Sequence, residues 1–415
     1  MMAALKFRVL CIFLAVVIAS LSSASSGFAS TSAPGWLPIA ASEPTNLPPS
    51  GAGKIFIYTQ NVGGASSTGT ITVTDELPAG IVTSATPANP EDPSAWVCTA
   101  GAGQSVFSCT STQNAAPGLI VKPIVVPVAV TSAVAATLLN RISVSSPGAV
   151  NGNYEQAIKV SSAPAKPGFQ AFTAGAYDSD GTLSTQAGSH PYTATAAVFT
   201  NTVLAPSGKL TPAGDLKTVR GALPPGFLGN PTATVRCPEA TIKDQECPIE
   251  SQVGTVQAVI AVGLEAGVRP TVNPVHAVEA PIGYPAKFTF ESGEPAPVFR
   301  VNVVGGVRSD EDYGLNVESP NTPEIEPVFG FFFNLWGDPS SPAHDAQRGG
   351  PSASGKAFLT QASDCLLQKE QPPFVGTALD TWLNPGEFQE ANFPVPAVTG
   401  CNKLSLGVDD LTFRP

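Results

Sequence analysis

"TVTDELPAGI", residues 72–81, is the stretch on which the fold turns. A strand-like alternation runs into Leu77-Pro78-Ala79-Gly80, where Pro78 fixes φ and lacks an N–H and Gly80 allows a turn before Ile81. A near copy, "TVRGALPPGF", returns at 218–227. Each copy is followed by a pair of cysteines, Cys98 and Cys109 after the first and Cys237 and Cys247 after the second. A corner reused with the same sequel reads as a structural part. The expectation is that Leu77 and Leu223 anchor two cores while Gly80 and Gly226 take turn dihedrals.

Outward from the first corner, residues 53–162 divide into "KIFIYTQ", "TITVTDELP", "AWVCTA", "SVFSCTS", "LIVKPIVVPVAV", "LLNRISVSS" and "YEQAIKVSS". Short strands separated by turns every eight to twelve residues are the pattern of an Ig-like sandwich. Composition agrees, because 39 Gly and 41 Pro in 415 residues disfavour helices, whose interiors they destabilise by roughly 1 and 3 kcal/mol. Charged residues are 13%, well under the usual ~25%. The expected fold is all-β: an Ig-like β-sandwich at 53–162, a second β-sandwich-like domain at 163–347, and a short C-terminal β unit at 348–415. Before them, residues 30–52 are rich in Pro and Ser and read as an extended, mobile leader.

The first 29 residues read as a signal peptide: Lys6 and Arg8, an apolar run from Val9 to Leu21, then small residues ending near Ala29. Its core of about 13 residues is shorter than the ~20 that span a bilayer, and no later stretch is long enough. Cys11 lies inside the apolar run, the wrong place for a lipidated cysteine. The mature chain is therefore expected outside the cell or associated with its envelope, with no membrane span. A net charge of −11 and the lack of any Lys/Arg cluster argue against nucleic acid.

Apart from Cys11, the cysteines fall into three sequential pairs, and nearest-neighbour bridges (Cys98 to Cys109, Cys237 to Cys247, Cys365 to Cys401) are favoured among fifteen connectivities. Zinc is the rival, but no Cys-x-x-Cys occurs and His190, His276 and His344 lie far from the pairs, so no metal is expected.

Several stretches imitate functional motifs. "GPSASGKA" (350–357) matches a phosphate loop except that Ala357 stands where Ser or Thr would ligate Mg²⁺, so no nucleotide or other cofactor is expected. "DSDG" (178–181) lacks acids at the calcium-loop positions 176 and 187, both Ala. "SDEDY" (309–313) crowds three acids and reads as a solvated hairpin tip. "WGDPSSPAHDAQRG" gathers His344, Asp345 and Arg348, where His344 could act as a base oriented by a carboxylate; the competing reading is that His and Arg bond local carbonyls and fix the loop. "FGFFFNLW" (329–336) offers either a sugar-stacking platform or a central strand buried on both faces, and its lack of alternation favours burial.

"NVGGASSTGTITVTDELPAGI" (61–81), the Cys98 and Cys109 pair and "LLNRISVSS" together resemble the conserved Ig-like repeat of unknown function found in bacterial secreted and cell-wall proteins, over about 110 residues. "LPPGFLGNPTATVRC", "CPIESQVGTV" and "DYGLNV" resemble large repeat-bearing exported proteins of soil actinobacteria, which implies no particular activity. Longer members continue with repeats after a segment like "TGCNKLSL", so the third unit reads as truncated. The function expected is structural or adhesive rather than enzymatic, with a cell-wall or extracellular polymer as partner. The alternatives are a carbohydrate- or calcium-binding module and, more distantly, a hydrolase using the His344 loop.

Overall fold

The computed structural model describes residues 31–404 apart from 132–135, 243–245, 262–267, 293–298, 310–311, 326 and 352–354; the expected signal peptide lies outside them. Strands β1 (Trp36–Glu43), β2 (Asn46–Leu47), β3 (Ala52–Asn61), β4 (Ile71–Glu76), β5 (Ile81–Thr83), β6 (Val97–Cys98), β7 (Val106–Ser111), β8 (Ile124–Val130), β9 (Ala136–Ser145) and β10 (Gly152–Val160) come first. They form two facing sheets, β1-β3-β8-β5 and β2-β10-β9-β4-β7-β6. Because side chains alternate along a strand, Ile71 and Val73, Ile55 and Ile57, and Val126 and Val128 all reach the same core. Trp96 lies in it with its indole N–H donated to the Lys122 carbonyl at 2.7 Å.

The Leu-Pro-x-Gly corner is built as its residues require. Leu77 is buried in this core, Ile81 N–H closes on the Pro78 carbonyl at 3.0 Å, and Gly80 sits at φ 95°, where a side chain would be strained. The copy at 218–227 repeats the backbone, with Gly226 at φ 81° and Phe227 N–H on the Pro224 carbonyl at 3.1 Å. Its anchor differs: Leu223 is half-buried, and Phe227 is the fully packed side chain.

The Pro- and Ser-rich leader is not a spacer. Residues 36–43 are β1, laddered antiparallel to β3 from Trp36 opposite Asn61 to Glu43 opposite Lys54. Trp36 and Ala40 face the sandwich core, while Ile39 and Ala41 face the opposite way into a second core with Phe56, Tyr58, Phe199 and Phe332. Apolar residues at successive positions, rather than alternate ones, are what a strand covered on both faces needs. The same reason explains the unalternating "PIVVPV" of β8, whose Val125 joins the second core while Ile124 and Val126 join the first.

The remaining strands are β11 (Phe169–Tyr177), β12 (Thr193–Thr200), β13 (Thr202–Leu204), β14 (Leu210–Pro212), β15 (Leu216–Ala222), β16 (Leu228–Gly229), β17 (Gln252–Ala261), β18 (Val268–Val278), β19 (Ala286–Ser292), β20 (Phe299–Val307), β21 (Leu315–Ser319), β22 (Val328–Trp336), β23 (Leu359–Thr360), β24 (Phe374–Thr381) and β25 (Gln389–Pro394). Eleven of them make one antiparallel sheet in the order β11-β12-β22-β17-β18-β19-β20-β21-β15-β24-β25. It curls until its two edges approach, the rings of Phe172 on β11 and Phe393 on β25 lying 6.2 Å apart. Opposed walls then face each other across one interior, sandwich-like in section although a single sheet supplies both.

The described part of the expected C-terminal unit, up to residue 404, is not separate, since β24 pairs with β15 from Leu216 opposite Thr381 to Ala222 opposite Gly376, and β25 pairs with β24. Both strands extend the sheet begun at β11. The intervening loop carries the sequence signs of a boundary, whereas the pairing that overrides it spans some 160 residues. The residues from Ser32 onward accordingly form one compact unit.

Candidate ligand cavity

The disulfides Cys98–Cys109, Cys237–Cys247 and Cys365–Cys401 each close within one segment. Cys98 and Cys109 stand directly opposite each other on β6 and β7. Cys365–Cys401 packs with Ala187, Ala362 and Val398 at one end of the curled sheet. There Gln361 donates its side-chain amide to the Ser184 carbonyl at 2.7 Å and Ala187 N–H meets the Thr399 carbonyl at 2.8 Å, closing that end with loops.

His344, Asp345 and Arg348 are brought together, but as a loop support. The His344 ring is 1% exposed and stacked between Tyr192 and Trp336, each centroid 4.5 Å away. Its Nδ1 lies 2.9 Å from Gln347 Oε1, and Gln347 in turn donates to the Pro117 carbonyl at 2.7 Å. Arg348, also buried, donates to the carbonyls of Gly350 at 3.0 Å, Ser341 at 3.3 Å and Pro339, and to Asp345 at 2.5 Å. A ring packed on both faces this way has no room for a substrate.

Burial holds the His344 pKa down at about 4, against the pull of Gln347 and with the Arg348 charge adding to the depression. Below pH 6.5 the unfolded chain takes a proton that the folded one refuses until about pH 4, so the stability this group contributes is complete above 6.5 and is lost on acidification between those values. Asp75 acts oppositely. Burial raises its pKa to about 7, so its contribution is complete below the ordinary carboxylate value of 3.8 and declines as pH rises through 7. Urea titrations of wild type and His344→Gln should therefore diverge in slope between pH 6.5 and 4, with wild type losing more on acidification. Parallel slopes would contradict the assignment.

The other imitations also resolve into structure. "DSDG" is a turn with Gly181 at φ 81°, and its backbone packs so closely on Gly35, just before β1, that a Cβ on either glycine would fall within 2.8 Å of the other's Cα. In "SDEDY", Asp312 pairs with Arg308 at 2.7 Å; residues 310–311 lie outside the described set. "GPSASGKA", of which 352–354 are likewise outside it, leads into the short strand β23. No group of three or more His, Cys, Asp or Glu able to hold a metal occurs among the described residues. "FGFFFNLW" lies in β22, paired on both edges as the third strand of the sheet: Phe329, Phe332 and Trp336 point one way, towards the first sandwich and the His344 loop, and Phe331, Phe333 and Leu335 point the other.

That other side is the interior of the curled sheet, which lines a partly open cavity of about 240 Å³. Its wall repeats the inside-outside alternation strand after strand: Phe331 and Phe333 of β22, Ala196 and Val198 of β12, Val301 and Val303 of β20. The alanines opposite phenylalanines leave the interior unfilled. Arg220 is the only charged residue among the described lining, and its side chain turns outward, with Nε 2.7 Å from Glu318 and the guanidinium 3.9 Å over the Phe388 ring. Thr377 lines the wall with its hydroxyl donated to the Arg220 carbonyl at 3.0 Å, whereas the Thr195 hydroxyl turns to the other side of β12 and reaches Asn334 at 2.8 Å. The Oγ of Ser319 is buried there without a hydrogen-bond partner. The arrangement can take up apolar matter, and sequence reading missed it because a wall made from many strands leaves no contiguous motif.

No family matches the sequence, and no curated protein does. Among solved structures, the chain is similar to the partial N-terminal region of an enterococcal surface protein, at 9% identity and TM-score 0.26, covering 90% of this chain and 98% of that one. A second, dimeric latent PorU from Porphyromonas gingivalis, has 10% identity and TM-score 0.15, covering 88% and 34%. Likenesses this low carry no argument about fold or function.

Proposed function

We propose that this chain is an exported protein that holds an apolar ligand inside its curled sheet, with the first sandwich serving as a rigid support. The cavity carries the reading: about 240 Å³ lined almost wholly by aliphatic and aromatic side chains, larger than the roughly 150 Å³ dry cavity known to admit benzene. An unfilled apolar interior forgoes dispersion contacts that a ligand restores. Three disulfides favour an oxidising compartment, as does the signal-peptide pattern of residues 1–29. No helix among the described residues is long and apolar enough to cross a membrane. Purified protein should bind the fluorophore N-phenyl-1-naphthylamine one to one, and Ala196→Phe, which fills the cavity, should weaken that binding at least tenfold while cooperative unfolding is kept. Equal binding by wild type and variant would contradict the proposal.

A structural or adhesive role at or outside the cell envelope is a second reading, favoured by the seam between the two parts. Gln60 donates to the Gly118 carbonyl at 2.9 Å and to Asn334 on β22 at 3.0 Å, and Gln257 on β17 also donates to Gly118, at 2.5 Å. Buried side-chain bonds of this kind tie the sandwich to the sheet as one body. Fractionation of cells carrying a tagged chain tests it, because a structural role in the wall requires the protein to stay with the wall fraction.

A further inference from the structure

We infer that the apolar ligand enters the cavity sideways, through the seam between β11 and β25, and that Phe172 and Phe393 are the side chains it must pass. The inference rests on the reading of the cavity as a ligand site. β11 and β25 stand at the two ends of the strand order, so no ladder joins them although the curl of the sheet brings them together. Every other pair of neighbours around the curl is held by backbone hydrogen bonds, and parting any of those would strip buried N–H and C=O groups of their partners. Across the seam the described residues offer side-chain contacts instead. Pro394, at the end of β25, brings no N–H with which a ladder could be completed.

The seam is also a wall of the cavity. Phe172 and Ala174 of β11 line it on one side, and on the other are Val375 and Thr377 of β24 with Val395 and Pro396, which follow β25. Phe393 stands opposite Val375 in the ladder and therefore on the same face, and its ring meets that of Phe172 edge to face at 6.2 Å. Both rings are half-buried. The two ends of the seam are unlike. Past Pro396, the Thr399 N–H donates to the Thr185 carbonyl at 2.7 Å and its carbonyl accepts from Ala187 N–H at 2.8 Å, while Ser184 N–H covers the Ala176 carbonyl of β11 at 2.9 Å. At the other end Gly168 and Gln389 only touch, a Cβ on Gly168 falling 3.6 Å from Gln389 Cγ. Two strands pinned at one end and merely in contact at the other part as a slot hinged at Thr399, with the two rings as its latch.

Stopped-flow fluorescence with N-phenyl-1-naphthylamine and the full mature chain tests the route. Gly168→Cys combined with Gln389→Cys locks the free end of the seam by a disulfide, since a Cβ at 168 would lie 3.8 Å from the Gln389 Cβ, the usual separation across such a bond. The two single-cysteine variants, treated with the same oxidant, are the unlocked controls. We expect the locked protein to bind and release the probe about tenfold more slowly than wild type and controls at unchanged Kd, because a gate alters both rates together. Rates equal to those of wild type would mean that the probe enters elsewhere, overturning the inference while the cavity remains a ligand site. Gly168 has φ 148°, where a side chain is strained, so if the double variant does not fold, Phe393→Ala decides. It removes half of the latch from outside the cavity lining and should speed association and release about threefold each at constant Kd. Unchanged rates, or faster release alone, overturn the inference. If wild type binds no probe, the cavity reading fails and the route fails with it.

Discussion

A mature chain that begins at residue 48, lacking β1 and β2, should fail to fold. Trp36, Leu37, Ile39 and Leu47 are all buried, and each such side chain contributes about 1.5–3 kcal/mol by burial. Together they reach on the order of 10 kcal/mol, against the 5–15 kcal/mol by which a typical protein is stable at all. The loss is larger than burial alone suggests, because removing β1 strips the ladder from one edge of β3 from Lys54 to Asn61. Phe56 and Tyr58 would lose Ile39 and Ala41 from their shared core. Expression of the shortened chain with circular dichroism and a urea titration decides this. A cooperative transition within a few degrees of the full-length melting temperature would show that the segment is the spacer its composition suggests.

Truncating the two corner anchors should cost comparable amounts at unlike positions. Leu77→Ala removes a side chain buried in the sandwich core and should destabilise by about 2–5 kcal/mol. In the second corner the equivalent leucine, Leu223, is half-buried, and Leu223→Ala should cost roughly 1 kcal/mol, near the average for point substitutions. The large effect moves to Phe227, packed with Phe288 and Phe358, where Phe227→Ala should cost about 3–5 kcal/mol. Chemical denaturation of the three variants orders them. A Leu77→Ala loss under about 0.5 kcal/mol, the scale of plain surface changes, would mean the corner is not an anchor.

The contrast between these leucines marks how far the sequence was legible. The all-β class and the strands of the first sandwich follow from alternation and turn residues, signals that lie within a dozen positions of one another. Gly80 and Gly226 were readable for the same reason: a corner is local, and both take positive φ. What lay out of reach depended on partners distant in the chain. The segment 36–43 looks like a Pro- and Ser-rich linker until β3 and the second core are placed on its two sides. The curled sheet arises from pairings such as Leu216 with Thr381, and the residues that line its cavity share no spacing in sequence. His344 gave a misleading one: its neighbours Asp345 and Arg348 suggest acid–base chemistry, whereas Tyr192, some 150 residues earlier, helps make the ring a packing element.

The sheet β1-β3-β8-β5, covered on both faces, also bears on how such a chain can evolve. Repeats in exported proteins are commonly gained and lost as free-standing blocks, which requires each block to present a wettable exterior when cut out. Here a block excised at residue 162 would carry Ile39, Phe56, Tyr58 and Val125 bare, together with Gln60 deprived of Asn334. Duplication or shuffling at that boundary is therefore closed to this sandwich unless the outer side of its middle layer is first rewritten in polar residues. The two halves are bound to be inherited together, and substitutions along their shared seam to be selected as pairs.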